Sequence, residues 1–210
     1  MKEKVLTENR TNEKLEKLRR GLARRFTVPI VRLIARTGVS PNTITWVGFL
    51  ITVFAAIFAA YGYLLASGVT VILAGLFDTL DGALARETGR VTRFGGALDS
   101  ILDRLSEGAV LVGITVFFLR TMLSPVVPVL VASLTLVGSY MVSYIRARAE
   151  GLGLKCEVGI STRPERVAIT ALGLIFNRLL IALVIVAVTS FFTAGQRLLY
   201  VWQQTKGNSH

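Results

Sequence analysis

One cysteine and one histidine are all that 210 residues offer of the side chains most used for zinc ligation and nucleophilic relays. The lone Cys156 excludes an intramolecular disulfide and a multi-cysteine zinc site. The histidine, His210, is the last residue of the sequence, and by itself it builds neither a histidine-ligated metal site nor a Ser-His or Cys-His pair. Charge is scarce too. Asp, Glu, Lys and Arg make up 18% of the chain against 52% hydrophobic residues, with a mean hydropathy of +0.60. That balance is too apolar for an ordinary soluble domain of this length. A soluble bundle helix keeps a polar stripe towards water, and the run TWVGFLITVFAAIFAAYGYLLASGVTVILAGLF has almost none. The sequence therefore predicts an all-α integral membrane protein, and leaves carboxylates, hydroxyls and arginines to do its chemistry.

Residues 1 to 40 form an arm of different character, with eleven of the 24 Lys and Arg and four Glu. Leu15, Leu18, Leu22, Phe26, Ile30 and Leu33 recur there at spacings of three and four, interrupted near Pro29. This pattern predicts an amphipathic helix lying in the headgroup layer. The arm is polar and basic with no apolar core ending in small residues, so no cleavable signal is expected. From Pro41 to residue 203 a single domain of six transmembrane helices is predicted, at about 42–63, 67–86, 95–120, 125–149, 163–177 and 178–203. The fifth is short, and residues 204–210 are a polar tail. Ser40-Pro41 and Ser124-Pro125 are helix-start signals, Gly89 and Gly95-Gly96 mark a turn, and EGLGLKCEVGISTRP is the longest polar connection. No internal repeat is evident.

The net charge of +11 raises a nucleic-acid reading, but the basic residues stand at helix ends and connections, and no aromatic-basic nucleic-acid motif is present. Anionic membrane lipids are the expected general partner, and nucleic acid is not. Arg86, Arg90 and Arg93 lie in one connection, and Arg146, Arg148, Lys155, Arg163 and Arg166 in and around another on the same side. The opposite side has Arg120 and Arg178, so the positive-inside rule places both termini and the Asp-rich connection in the cytoplasm.

That connection poses the chemical question. Asp78 and Asp81 are three apart at the end of the second span and share a helix face, while Asp99 and Asp103 are four apart at the start of the third. Two antiparallel helices joined by a glycine-containing turn bring four carboxylates together at the inner surface. A carboxylate at a helix centre in the bilayer costs about 2.5 to 3.5 kcal/mol, so the cluster needs protons, arginines such as Arg86, Arg93 and Arg104, or bound cations. Clustered carboxylates without histidine or cysteine have the ligand chemistry of Mg²⁺ or Mn²⁺. Two such ions close together activate a phosphoryl or diphosphate centre.

Asp78-x-x-Asp81-Gly82-x-x-Ala85-Arg86, eight further residues, then Gly95-x-x-x-Asp99-x-x-x-Asp103 resembles, without a gap, the signature of the CDP-alcohol phosphotransferases. The resemblance implies two divalent cations, Mg²⁺ or Mn²⁺, bridged by Asp78 and Asp99, with Asp81 on the first and Asp103 on the second. It implies that Asp103 also takes the proton of the attacking hydroxyl, and that the CDP moiety of the lipid meets Asn42, Thr43, Ile44, Thr45, Gly82, Arg86 and Thr92. Each role has a physical reason. Gly82 lets a nucleotide approach the helix backbone, and Arg86, two turns beyond Asp78, can pair with a diphosphate.

Members of this family share the donor chemistry and differ in the alcohol. SYIRARAE, RPER, QRLLYVW and DSILDR resemble the branch of phosphatidylinositol-phosphate and archaetidylinositol-phosphate synthases. For that branch the implied contacts to inositol phosphate are Ser143, Arg146, Arg163, Arg166 and Arg197, a cluster suited to an anionic acceptor. Arg148, two residues from Arg146, faces elsewhere and is assigned to topology. Arg146 stands where actinobacterial members have lysine, and Glu107 where they have aspartate. The expected reaction joins CDP-diacylglycerol or CDP-archaeol to inositol phosphate with release of CMP, in a homodimer of the cell membrane. Glycerol 3-phosphate or another polar alcohol is the alternative within the family. A membrane prenyltransferase would carry its aspartates on two separated helical regions, and an ion-coupled transporter would release no CMP.

Overall fold

The structure, a computed structural model, describes Pro29 and residues 31–206. The predicted amphipathic arm therefore lies mostly outside the described residues, as do the last four residues of the tail. Among the described residues the fold is entirely helical. A short helical segment at 31–36 leads into α1 (Pro41–Ala60), α2 (Leu64–Glu87), α3 (Arg93–Thr121), α4 (Val126–Gly151), α5 (Arg163–Ile175) and α6 (Leu179–Lys206). α1, α2, α4 and α6 are each long and apolar enough to cross a membrane. α3 has the length but opens with a charged half, from Arg93 to Glu107. α5, with 13 residues, rises only about 20 Å, less than a hydrocarbon core of about 30 Å.

Local chemistry sets the helix starts. Ser40 accepts a hydrogen bond from the Thr43 amide at 3.2 Å, and Pro41 follows in the first turn, where its missing N–H costs nothing. Thr92 caps α3 in the same way, accepting from the Gly95 amide at 2.9 Å. The α2–α3 turn passes through Gly89 at φ +65°, a left-handed conformation that favours glycine.

Helices pack as α1 with α2 and α3, α2 with α5, α4 with α3 and α6, and α5 with α6. Lipid removes most of the hydrophobic drive for helix association, so close backbone approach and interhelical hydrogen bonds do the work. A Cβ on Gly113 would sit 2.3 Å from the Ala56 carbonyl oxygen, and one on Gly68 2.8 Å from that of Ala171. Ser67 donates to the Ala55 carbonyl at 2.8 Å, and Thr135 to that of Leu183 at 3.0 Å. The interior holds Ala55, Ile114, Phe118, Leu174 and Leu183, all fully buried, while Leu50, Phe54, Leu130, Val188 and Phe192 point outward. An apolar exterior around a packed interior suits helices whose solvent is lipid.

The connection at 152–162 is not helical, yet Cys156 and Ser161 in it are buried. Arg197 of α6 donates to the Val158 carbonyl at 2.9 Å, and the Ser161 amide donates to the Thr193 hydroxyl at 3.1 Å. These bonds satisfy polar groups of an irregular backbone that is partly removed from solvent. This pinned connection delivers α5 to the aspartate end of α2 and α3.

Candidate active site

α2 and α3 both pack on α1 rather than on each other, and the end of one and the start of the other meet at one end of the bundle. Oxygens of Asp78, Asp99 and Asp103 all come within 4.8 Å of one another. Asp81 faces the same end of the bundle but is held differently: it is buried, accepts from the Thr45 hydroxyl at 2.7 Å, and accepts from the Gly82 amide. The Thr45–Asp81 bond ties the first turn of α1 to α2, which places the Asn42–Thr45 segment against the motif.

The residues expected to meet CDP are placed unequally: Asn42 and Thr92 both lie against Gly95 and Arg86 lies over Gly82, whereas Ile44 is buried in an apolar cluster with Val31, Leu80 and Leu84. A Cβ on Gly95 would lie 3.1 Å from Asn42 Oδ1 and 3.0 Å from Thr92 Oγ1. The Arg86 guanidinium folds back over Gly82, with Nη1 3.4 Å from where a Cβ would be. Between them these two places offer bare backbone, an amide, a hydroxyl and a guanidinium, which are groups that bind a nucleotide diphosphate.

Beneath the carboxylates a cavity of about 300 Å³ opens between α1, α2, α3 and α5. Asp78, Asp103 and Glu107 line one part of it, and Phe49, Val71 and Leu111 are among the apolar residues lining the rest. A cavity that joins carboxylates to apolar walls fits an amphiphile whose reacting group is charged and whose body is lipid.

The expected acceptor residues are placed unequally. Arg163, at the first position of α5, reaches into the aspartate cluster: its Nη1 lies 2.6 Å from Asp78 Oδ2 and 2.8 Å from Asp103 Oδ1. Arg166, one turn on, is buried and makes a two-pronged pair with Glu107, at 2.7 Å from Nε and 2.8 Å from Nη2. Its remaining Nη1 donates to the Ser161 carbonyl at 3.2 Å. Arg197 is also buried and donates from Nη1 to the Val142 carbonyl at 2.7 Å, beside the half-buried Ser143. Arg146 is exposed and pairs with Glu150 at 2.9 Å.

Glu107 was legible only as a difference from other family members, not as the partner of Arg166. The signal was the continuation of the four-residue spacing, Asp99, Asp103, Glu107, down one face of α3. Thr45 as a support of Asp81 had no comparable signal, because the two are 36 residues apart on different helices.

Comparison with known proteins agrees with this geometry. The sequence model of the family described as CDP-alcohol phosphatidyltransferase matches residues 38–202. The chain is 39% identical over 201 residues to the archaetidylinositol phosphate synthase of Methanothermobacter thermautotrophicus, covering 93% of this chain and 98% of that one. It is 39% identical over 198 residues to the phosphatidylinositol phosphate synthase of Mycobacterium marinum, covering 88% and 83%. Among solved structures, the phosphatidylinositol phosphate synthase of Mycobacterium tuberculosis with CDP-DAG bound superposes with a TM-score of 0.79 at 38% identity, over 85% of this chain and 94% of that one. The same enzyme in complex with manganese and citrate gives a TM-score of 0.79 at 38% identity over 84% and 88%. With the motif unbroken, its carboxylates converged and the match running from the α1 cap through most of α6, the chain belongs to the CDP-alcohol phosphatidyltransferase family.

Proposed function

We propose that the protein transfers the phosphate-linked lipid of a CDP-activated donor, CDP-diacylglycerol or CDP-archaeol, to inositol phosphate and releases CMP. The observation that carries this reading is the meeting of Asp78, Asp99 and Asp103, two of which, Asp78 and Asp103, also line a largely apolar cavity. The names of the relatives, inositol phosphate synthases of the archaetidyl and phosphatidyl type, support the acceptor.

The donor set fits Mg²⁺ or Mn²⁺: it consists only of carboxylate oxygens, and their spacing allows them to share an ion. Asp78, Asp81, Asp99 and Asp103 would hold two such cations, which when bound neutralise the diphosphate and stabilise departing CMP. The Thr45 hydroxyl fixes the Asp81 carboxylate, the kind of outer support that orients a ligand. Asn42, Gly82, Arg86 and Thr92 cradle the nucleotide, and the apolar cavity takes lipid and keeps water from the reacting phosphorus. Asp103 is less exposed than Asp78, with 13% of its side chain accessible against 29%, and accepts the proton of the attacking hydroxyl. Arg163, Arg166 and Arg197, with Ser143 and Arg146, form the anion-attracting side. Glu107 neutralises Arg166, whereas Arg197 makes no ion pair among the described residues, so its charge is left for an incoming phosphate.

In the same proposal α3 and α5 complete a six-helix membrane domain with α1, α2, α4 and α6, and the aspartate end faces the cytoplasm. Support comes from the basic residues concentrated at that end. The test is product identification after incubating purified protein with either CDP-lipid, a divalent cation, and separately inositol phosphate, glycerol 3-phosphate, serine or free inositol. A lipid-linked inositol phosphate as the main product is expected. Preferred use of glycerol 3-phosphate or free inositol would overturn the acceptor and leave the donor chemistry standing.

A further inference from the structure

Arg163 and Arg166 lie one turn apart on α5, yet their guanidinium groups are satisfied to very different degrees. Arg166 is saturated, since Nε, Nη1 and Nη2 all have acceptors in a two-pronged carboxylate pair and a carbonyl. Arg163 uses a single nitrogen, Nη1, for both Asp78 and Asp103, and its Nε is buried without any hydrogen-bond partner. A guanidinium built for permanent pairing meets a carboxylate with two parallel bonds. A buried donor left unpaired also carries a desolvation penalty that another arrangement would relieve. Arg163, and Arg104 at 4.0 Å from Asp103, face the three carboxylates of Asp78, Asp99 and Asp103, so the cluster keeps an excess of negative charge as well.

We propose that Arg163 is a displaceable counter-cation: it closes over the aspartates while they lack divalent ions, and metal loading frees its guanidinium for the acceptor phosphate. This inference rests on the divalent-cation reading of the cluster given above. Two ions cannot take oxygens of Asp78 and Asp103 while Nη1 stays within 3 Å of both, because cation would face cation at close range. Arg163 stands at the start of α5, next to the polar connection, so its long side chain can turn away without moving a helix. Freed, it offers all its N–H donors, including the Nε that has no partner in the closed arrangement, beside the place where the acceptor hydroxyl must come to Asp103. The exchange imposes an order, with metal entering first and the acceptor binding tightly only afterwards.

The test pairs equilibrium Mn²⁺ binding with acceptor kinetics in full-length wild type, Arg163→Gln and Arg163→Lys, with Asp99→Asn as a reference. Mn²⁺ binding is followed by the loss of the free-ion electron paramagnetic resonance signal, without donor or acceptor present. Removing the competing charge should tighten Mn²⁺ binding in Arg163→Gln by about tenfold or more, with Arg163→Lys in between. At saturating Mn²⁺ the same Gln variant should raise KM for inositol phosphate about tenfold, with little change in KM for the CDP-lipid. Opposite shifts, tighter metal and weaker acceptor, are not expected from a merely structural arginine. Equal Mn²⁺ affinity in wild type and Arg163→Gln would overturn the inference and leave the metal reading intact. An unchanged acceptor KM would overturn the hand-over. Failure of the wild type to bind Mn²⁺ at all would instead overturn the reading of the aspartates on which the inference rests.

Discussion

At the scale of single residues, charge is expensive in this protein, so each ionised side chain near the bundle has either a partner or a task. Asp99 has no arginine of its own among the described ion pairs, while Asp78 and Asp103 share Arg163. Asp99→Asn should therefore cost about a hundredfold or more in kcat, the scale of removing one group that stabilises a charged transition state. Arg148→Ala, on an exposed position of α4, should change turnover little. Comparable losses in the two folded variants would contradict the assignment. Arg166→Ala should behave differently from both, because it strands Glu107 in a buried site. Breaking one side of such a pair costs about 3 to 5 kcal/mol, so this variant should unfold earlier in detergent as well as bind acceptor poorly. A stability equal to wild type would show the pair to be dispensable. The aspartates were legible in the sequence because their spacing is local and a helix converts it into a face. The Glu107–Arg166 pair was not, because 59 residues separate its members and only helix packing brings them together.

At the scale of elements, the sequence announced where helices begin more clearly than how they pack. Ser40-Pro41 reads as a start, and the cap is there; Ser124-Pro125 likewise precedes α4 directly. All six expected helical segments are present with ends shifted by a few residues. The surprise is the depth of the 152–162 connection, polar in sequence yet holding buried Cys156 and Ser161. Composition marks a loop but does not say that Arg197 and Thr193 will draw it inward. Glycines were also ambiguous, since the string alone does not separate a contact glycine from an open one. Gly113→Ala would push a Cβ to 2.3 Å from the Ala56 carbonyl and part α1 from α3, at about 1 to 3 kcal/mol. Gly195→Ala, with open space around it, should be neutral or stabilise by up to about 1 kcal/mol. Thermal unfolding of the two variants checks the contrast, and an equal effect would contradict the packing.

At the scale of the whole molecule, two asymmetries set the function: basic residues gather at the aspartate end, and an apolar surface surrounds a bundle whose cavity is lined by two of the aspartates. The first supports the proposed orientation, with the aspartate end on the cytoplasmic side. Leu123→Cys, fully exposed in the α3–α4 turn, should react with a membrane-impermeant maleimide on intact cells, whereas Arg90→Cys in the α2–α3 turn should react only after permeabilisation. The reverse pattern would invert the protein in the membrane. The second asymmetry is what a donor with a lipid body and a nucleotide head requires, and only here do the motif, the cap of α1 and the cavity act as one object. The most direct test of that unity is CMP release by purified protein supplied with CDP-lipid and inositol phosphate. Release should require Mn²⁺ or Mg²⁺, stop on chelation, return when the metal is restored, and fall to background in Asp99→Asn. Full CMP release in metal-free buffer, or undiminished release by Asp99→Asn, would contradict the account.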